Sequence, residues 1–308
     1  MYRLALSCVV TTLFVSWIQA DDDLYSKVVI ARHSQILVES VREIRVSTRV
    51  GDIAVVQADG DQMTVEADVR VDRKRVDASK AGERFEDHVL VSTEEGVITI
   101  ADSHGKELNG TPWKVSLKIG LPRQLSISGQ TGVGNIRVDF GEGRVALKTG
   151  VGDVAIKVDR LDSVQAEAGV GSVDLQLGTV AGDVSATVGT GDAKLQGKEI
   201  MGKVEVKSGV GDVAVQFLTP DAGRESLIEA GVGKASLELP ENVSGQFDLV
   251  ASVGSIDVIP PSAFKCKQTL AGGTASGRCG TAQRTYKVKS GVGSVKLRLH
   301  PETGQKTL

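Results

Sequence analysis

Ser208-Gly209-Val210-Gly211-Asp212-Val213-Ala214-Val215 recurs along the chain, and its recurrence decides the fold. Close copies begin at Thr131, Thr149, Ala168, Val188, Ala230 and Ser290, and a degraded copy starts at Ala251. Each copy carries two corner glycines: Gly132 and Gly134, Gly150 and Gly152, Gly169 and Gly171, Gly189 and Gly191, Gly209 and Gly211, Gly231 and Gly233, and Gly291 and Gly293. Ser252 stands in for the first glycine of the degraded copy. The copies follow one another at about twenty residues, a spacing that doubles before the last, and such a period marks a solenoid.

On either side of each corner the apolar residues alternate. Val204 and Val206 precede the corner glycines, and Val213, Val215 and Phe217 follow. Period two sends these residues to one face and their neighbours to the other. Across the copies, one inward ladder reads Ile136, Val154, Val173, Ala193, Val213, Ala235, Ile256 and Val295. The next reads Val138, Ile156, Leu175, Leu195, Val215, Leu237, Val258 and Leu297. No helical segment separates the copies, so each coil is expected to stack directly on the next. The expected fold is all-β: a right-handed parallel β-solenoid (β-helix), because strand-to-parallel-strand crossovers are overwhelmingly right-handed. Stacked identical turns leave little room for a Cβ, which accounts for the corner glycines. The intervening Val133, Val151, Val170, Val210, Val232 and Val292 are expected to point inward and fill the corner.

Outward from the repeats, the organisation is read as four parts. Residues 1–20 form a signal peptide: Arg3, then an apolar run from Leu4 to Ile18, with cleavage after Ala20 ahead of Asp21-Asp22-Asp23. Residues 21–124 form an irregular N-terminal β region that caps the solenoid, and Val50-Gly51-Asp52-Ile53 within it is a worn copy of the repeat. Residues 125–300 are the solenoid, interrupted by an excursion at 260–285, and 301–308 are a tail. Charged Arg73 to Asp87 reads as a short exposed helix or excursion. At the far end, Lys296, Arg298, His300 and Pro301 have the charge and proline that protect an edge strand.

The 308 residues carry 36 Lys and Arg against 39 Asp and Glu, and no basic excess points to nucleic acid. No later segment has the ~18 uninterrupted apolar residues of a membrane span. Export leaves Cys266 and Cys279 in an oxidising compartment, where a structural disulfide between them is expected.

Chemistry is sparse. The corner glycines match a dinucleotide-binding turn in spacing, but strand residues follow them where that turn needs a helix. Asp153, Asp192 and Asp212 could suggest a calcium roll, but such rolls repeat every nine residues, and turn chemistry explains acids at a corner. His33, His88, His104 and His300 form no ligand spacing or triad. No catalytic residue, cofactor or metal is expected.

Three features together resemble the bacterial putative-adhesin family of unknown function: the strand ending in Val50-Gly51-Asp52-Ile53, the segment Ala58-Asp59-Gly60-Asp61, and Lys114 to Pro122 leading into the Gly-Asp-Val coils. The resemblance covers residues 35–300. It implies an exported β-solenoid and supplies no catalytic residues. The expected function is a non-enzymatic adhesin or cell-envelope interaction scaffold, periplasmic or at the cell surface, meeting a protein or polysaccharide. The alternatives are a carbohydrate-active β-helix enzyme and a periplasmic accessory domain of an envelope-sensing system.

Overall fold

A computed structural model describes residues 25–36, 41–58, 62–72, 88–103, 113–122, 125–220, 224–260, 264–268, 271–281 and 284–300. The segment expected to be a signal peptide, residues 73–87 and the expected tail at 301–308 lie outside these. The described residues form twenty-five strands. The first seven are β1 (Tyr25–Ile36), β2 (Glu43–Val50), β3 (Ile53–Gln57), β4 (Met63–Asp72), β5 (Val89–Glu94), β6 (Val97–Asp102) and β7 (Trp113–Leu121). The repeats supply β8 (Ser126–Val133), β9 (Ile136–Val138), β10 (Arg144–Val151), β11 (Val154–Leu161), β12 (Ser163–Val170) and β13 (Val173–Val180). They continue with β14 (Val184–Thr190), β15 (Ala193–Ile200), β16 (Val204–Val210), β17 (Val213–Phe217), β18 (Glu225–Val232) and β19 (Ala235–Pro240). The chain ends with β20 (Gly245–Val253), β21 (Ile256–Ile259), β22 (Phe264–Gln268), β23 (Gly273–Cys279), β24 (Thr285–Val292) and β25 (Val295–His300).

Each coil gives one strand to a 12-stranded sheet and one to a 13-stranded sheet. In the repeats the strands are parallel and in register, Val154 beside Val173, Val173 beside Ala193, and Ala193 beside Val213. This is the expected β-solenoid. Both predicted ladders are buried between the sheets along their whole length, and they belong to one continuous core with the N-terminal strands. Met63, Val65, Ala67 and Val69 of β4, and Val115, Leu117 and Ile119 of β7, join that core. Val50 pairs with Val133, so the worn copy is a true coil of the stack.

The order of the coils departs from the order of the sequence at both ends. The last coil, β24–β25, is inserted between β18–β19 and β20–β21. At the other end β2–β3 lies between β6–β7 and β8–β9. Two expectations are corrected by this topology. Coils do not all stack in chain order. β25 is an interior strand, with Lys296 between Ser236 and Asp257. Its charged residues face solvent off the sheet, where His300 Nε2 lies 3.1 Å from Glu238 Oε2, instead of guarding an edge. The edges are β1 and β21 in one sheet and β22 and β5 in the other.

The excursion is an antiparallel hairpin, β22–β23, laid against β20. Its register places Cys266 opposite Ala275, so Cys279 stands four residues further along its strand, roughly 13 Å away. A disulfide needs Cα atoms within about 7 Å. Cys279 is a free thiol, and the expected disulfide is not formed. Burial pushes that thiol's pKa up, which disfavours the reactive thiolate.

Candidate interaction surface

The corner is built from three sets of contacts between neighbouring coils. The first is the closeness of the backbones. Gly211 has φ +142°, and a Cβ there would stand 2.0 Å from the Gly191 carbonyl oxygen. At Gly209 a Cβ would stand 2.6 Å from the Gly189 carbonyl oxygen. Only glycine fits either position.

The second set is a row of buried hydroxyls. Ser208 Oγ donates to the Gly191 carbonyl at 2.8 Å, Thr149 Oγ1 to Gly134 at 2.9 Å, and Ser290 Oγ to Gly233 at 2.8 Å. These side chains fill the inside of the corner and satisfy a carbonyl of the adjacent coil.

The third set is a side-chain ladder. Asp153 N–H donates to Asn135 Oδ1 at 2.8 Å, and Ser172 N–H to Asp153 Oδ1 at 2.7 Å. Asp212 N–H donates to Asp192 Oδ1 at 2.9 Å, and Lys234 N–H to Asp212 Oδ1 at 2.8 Å. Asp153, Asp192 and Asp212 are therefore backbone acceptors, one per coil. Among the described residues no group of three or more His, Cys, Asp or Glu side chains is placed to hold a metal ion. The bond does not depend on charge, since Asn135 accepts in the same way. Asp192→Asn is expected to leave the melting temperature unchanged. Asp192→Ala is expected to cost about 1 kcal/mol, read from denaturant unfolding.

Asp52 opens this ladder, accepting from Asn135 N–H at 2.9 Å and lying 3.0 Å from Lys114 Nζ. Burial raises its pKa, but the Asn135 hydrogen bond and the Lys114 ammonium outweigh burial and leave it below the usual carboxylate value. A carboxylate with a depressed folded pKa stabilises above its unfolded pKa, and that stability is lost as pH falls through the folded value. The wild type is therefore expected to lose more stability than Asp52→Asn between pH 7 and pH 3, measured as the difference in melting temperatures.

The corner valines do not fill the corner. Val133, Val151, Val170, Val210, Val232, Val253 and Val292 are each between 48% and 51% exposed. The inward direction expected for Val133, Val151, Val170, Val210, Val232 and Val292 is corrected, and the reason lies in the count of residues. Ser208 and Val213 both point inward but are five apart, so strict alternation has to break between them. The break leaves Gly209, Val210 and Asp212 outside. That odd spacing is the signal in the sequence that could have placed the valine correctly.

The valines pair in register from coil to coil: Val50 with Val133, Val133 with Val151, Val151 with Val170, then Thr190, Val210, Val232, Val292 and Val253. Nine positions at ~4.8 Å give a straight ridge roughly 38 Å long. The glycine before the outward residue is exposed at Gly132, Gly150, Gly169, Gly189, Gly209 and Gly231, while Val50, beside buried Gly51, is only half-buried at its end of the ridge. On one side lies the Asp and Asn ladder. On the other runs a mixed row in which Lys148 pairs with Glu167 at 2.8 Å and Lys207 lies 4.0 Å from Glu229. Half-exposed valines in such a row present on the order of 400 Å² of apolar surface, within the ~300–600 Å² of the largest apolar patch on a typical monomer, a patch that is often functional.

The two histidines whose side chains are described, His88 and His300, lie in different places. His88 is buried with its ring 4.9 Å from that of Trp113, and His300 faces Glu238 at the far end of the rod.

The family model Toastrack DUF4097 matches residues 41–298. Among solved structures, a putative adhesin from Parabacteroides distasonis is 16% identical, over 90% of this chain and 98% of its own, with a TM-score of 0.36. A putative adhesin from Bacteroides fragilis is 15% identical, over 88% of this chain and 98% of its own, with a TM-score of 0.33. A putative cell adhesion protein from Clostridium sporogenes is 13% identical, over 90% of this chain and all 100% of its own, with a TM-score of 0.27. No curated protein matches the chain.

Proposed function

The chain belongs to the Toastrack DUF4097 family, and on that premise we propose that it is a non-enzymatic, exported scaffold that adheres to a protein or polysaccharide of the cell envelope or surface. The single observation that supports this reading is the valine ridge. It holds apolar side chains in water along the length of the stack, at a cost in solvation that a partner would relieve. The rod that carries it is held by register-locked coils, so the ridge is presented without an ordering penalty, and many small contacts add along it. Binding of this kind needs no cofactor.

Export is part of the proposal and rests on the leader-like segment before Asp21. The test is protease shaving of intact cells beside periplasmic fractionation, followed with antibody against the folded chain. Loss of the protein from intact cells supports adhesion at the outer surface. Protection until the envelope is opened confines the scaffold to a periplasmic partner, and retention in the cytoplasm overturns the proposal. Cleavage of a polysaccharide by the purified chain would overturn the non-enzymatic reading.

A further inference from the structure

The ridge has a symmetry that no single coil shows. In stacking order its outward residues are Val50, Val133, Val151, Val170, Thr190, Val210, Val232, Val292 and Val253. Four valines, one threonine and four valines read the same from either end. Full overlap of two reversed copies therefore sets valine on valine on both sides of the centre and threonine on threonine at it. The ladder beside the ridge reads, in the same order, Asp52, Asn135, Asp153, Ser172, Asp192, Asp212, Lys234, Ser294 and Ser255.

We propose that the ridge is a homotypic interface, on which a second copy of this chain packs antiparallel with the two-fold axis beside Thr190. A partner for this surface has to offer apolar groups at the same ~4.8 Å repeat over roughly 38 Å, and a second ridge does so by construction. End-for-end reversal brings Val170 to Val210 of the other copy and Val151 to Val232. It also brings Asp153 to the coil carrying Lys234, and symmetry makes that pairing twice. Asp192 approaches its own mate near the axis, a like-charge contact that weakens the pair. Burying both ridges removes on the order of 800 Å² in total, short of the ~1,200–2,000 Å² of stable interfaces. The dimer is therefore weak and reversible, a closed pair that forms at high local concentration.

The proposal rests on the ridge being a contact surface, as above, and the two can fail separately. Sedimentation velocity over a concentration series is expected to show a monomer–dimer equilibrium. Val170→Lys with Val210→Lys sets lysine against lysine and is expected to raise the dissociation constant at least ~10-fold. Val170→Lys with Val210→Glu sets lysine against glutamate in the antiparallel register and is expected to recover most of that loss. Both positions are half-exposed, so unchanged melting of the variants excludes misfolding as the cause.

The register is read with nitroxide labels in a background with its cysteines replaced by serine. Labels introduced by Thr190→Cys are expected to lie within ~20 Å of each other, while those introduced by Val133→Cys are six coils apart, at about 30 Å. A chain that stays monomeric at all concentrations overturns the proposal. So does a Lys and Glu variant no better than the double lysine, or equal label distances at the two positions. If a strictly monomeric chain still binds envelope material through the ridge, the homotypic reading falls and the contact-surface reading stands.

Discussion

Val213→Asp is expected to abolish the cooperative melt of the rod. Val213 is fully buried, between Ala193 and Ala235 on the neighbouring coils. A carboxylate there would have apolar side chains as its surroundings and no cation to pair with. Leaving an uncompensated charge in such a place costs about 3–5 kcal/mol, beyond the 1.5–3 kcal/mol of apolar burial that is lost. Marginal stability of 5–15 kcal/mol cannot absorb much of this. Val213→Ala, which removes packing and adds no charge, is expected to cost roughly 2 kcal/mol. Thermal melting followed by circular dichroism separates the two. Native-like melting of Val213→Asp would place that side chain outside and break the inward ladder.

The second large effect is expected at Gly211. Gly211→Val combines a backbone conformation that L side chains rarely adopt with a Cβ driven onto the Gly191 carbonyl oxygen. Strain at a positive φ alone costs about 1–3 kcal/mol, and the clash can be relieved only by parting two coils that share a ladder. The neighbouring corner on the same coil face is built identically, so no slack lies nearby: Gly233 repeats the contact on Gly211 at 2.1 Å. The expected result is a loss of more than ~4 kcal/mol in denaturant unfolding, with amide exchange fastest in β16 and β17. Substitution of exposed Val210 by Thr, one residue away, is expected to change stability by less than ~0.5 kcal/mol, as Thr190 already stands at the equivalent position.

Much of this fold is legible in the sequence because its signals are local and repeated. The period fixes the coil, the alternation in Val204, Val206, Val213 and Val215 fixes the inward face, and the glycines fix the corner. What stayed hidden depends on comparing segments far apart. The coil at β24–β25 carries the same corner as the others, so nothing in it records that it slots between β18–β19 and β20–β21. Lys296, Arg298 and His300 read as edge protection because charged residues on alternate positions suit an edge strand and the solvent face of an interior strand equally. Two cysteines thirteen residues apart suggest a staple until the hairpin register sets them on different levels. The ridge was hidden for another reason. Valine between glycines in an apolar repeat looks like core, and only the five-residue step from Ser208 to Val213 shows that the alternation has to break. The carboxylates beside it read as turn residues, and the partners they accept from, backbone N–H groups of the next coil, come into view only when the coils are stacked.

The account turns on the ridge as the contact surface, and its most direct test is binding of the purified chain to envelope material from the cells that make it. Val151→Lys with Val232→Lys changes the ridge, and Lys157→Ala with Gln176→Ala changes the outer face of the sheet beyond it. All four residues are at the surface, so both variants are expected to melt like the wild type. The ridge variant is expected to bind at least ~10-fold more weakly, while the face variant binds as the wild type does. A ridge variant that binds with wild-type affinity would contradict the account.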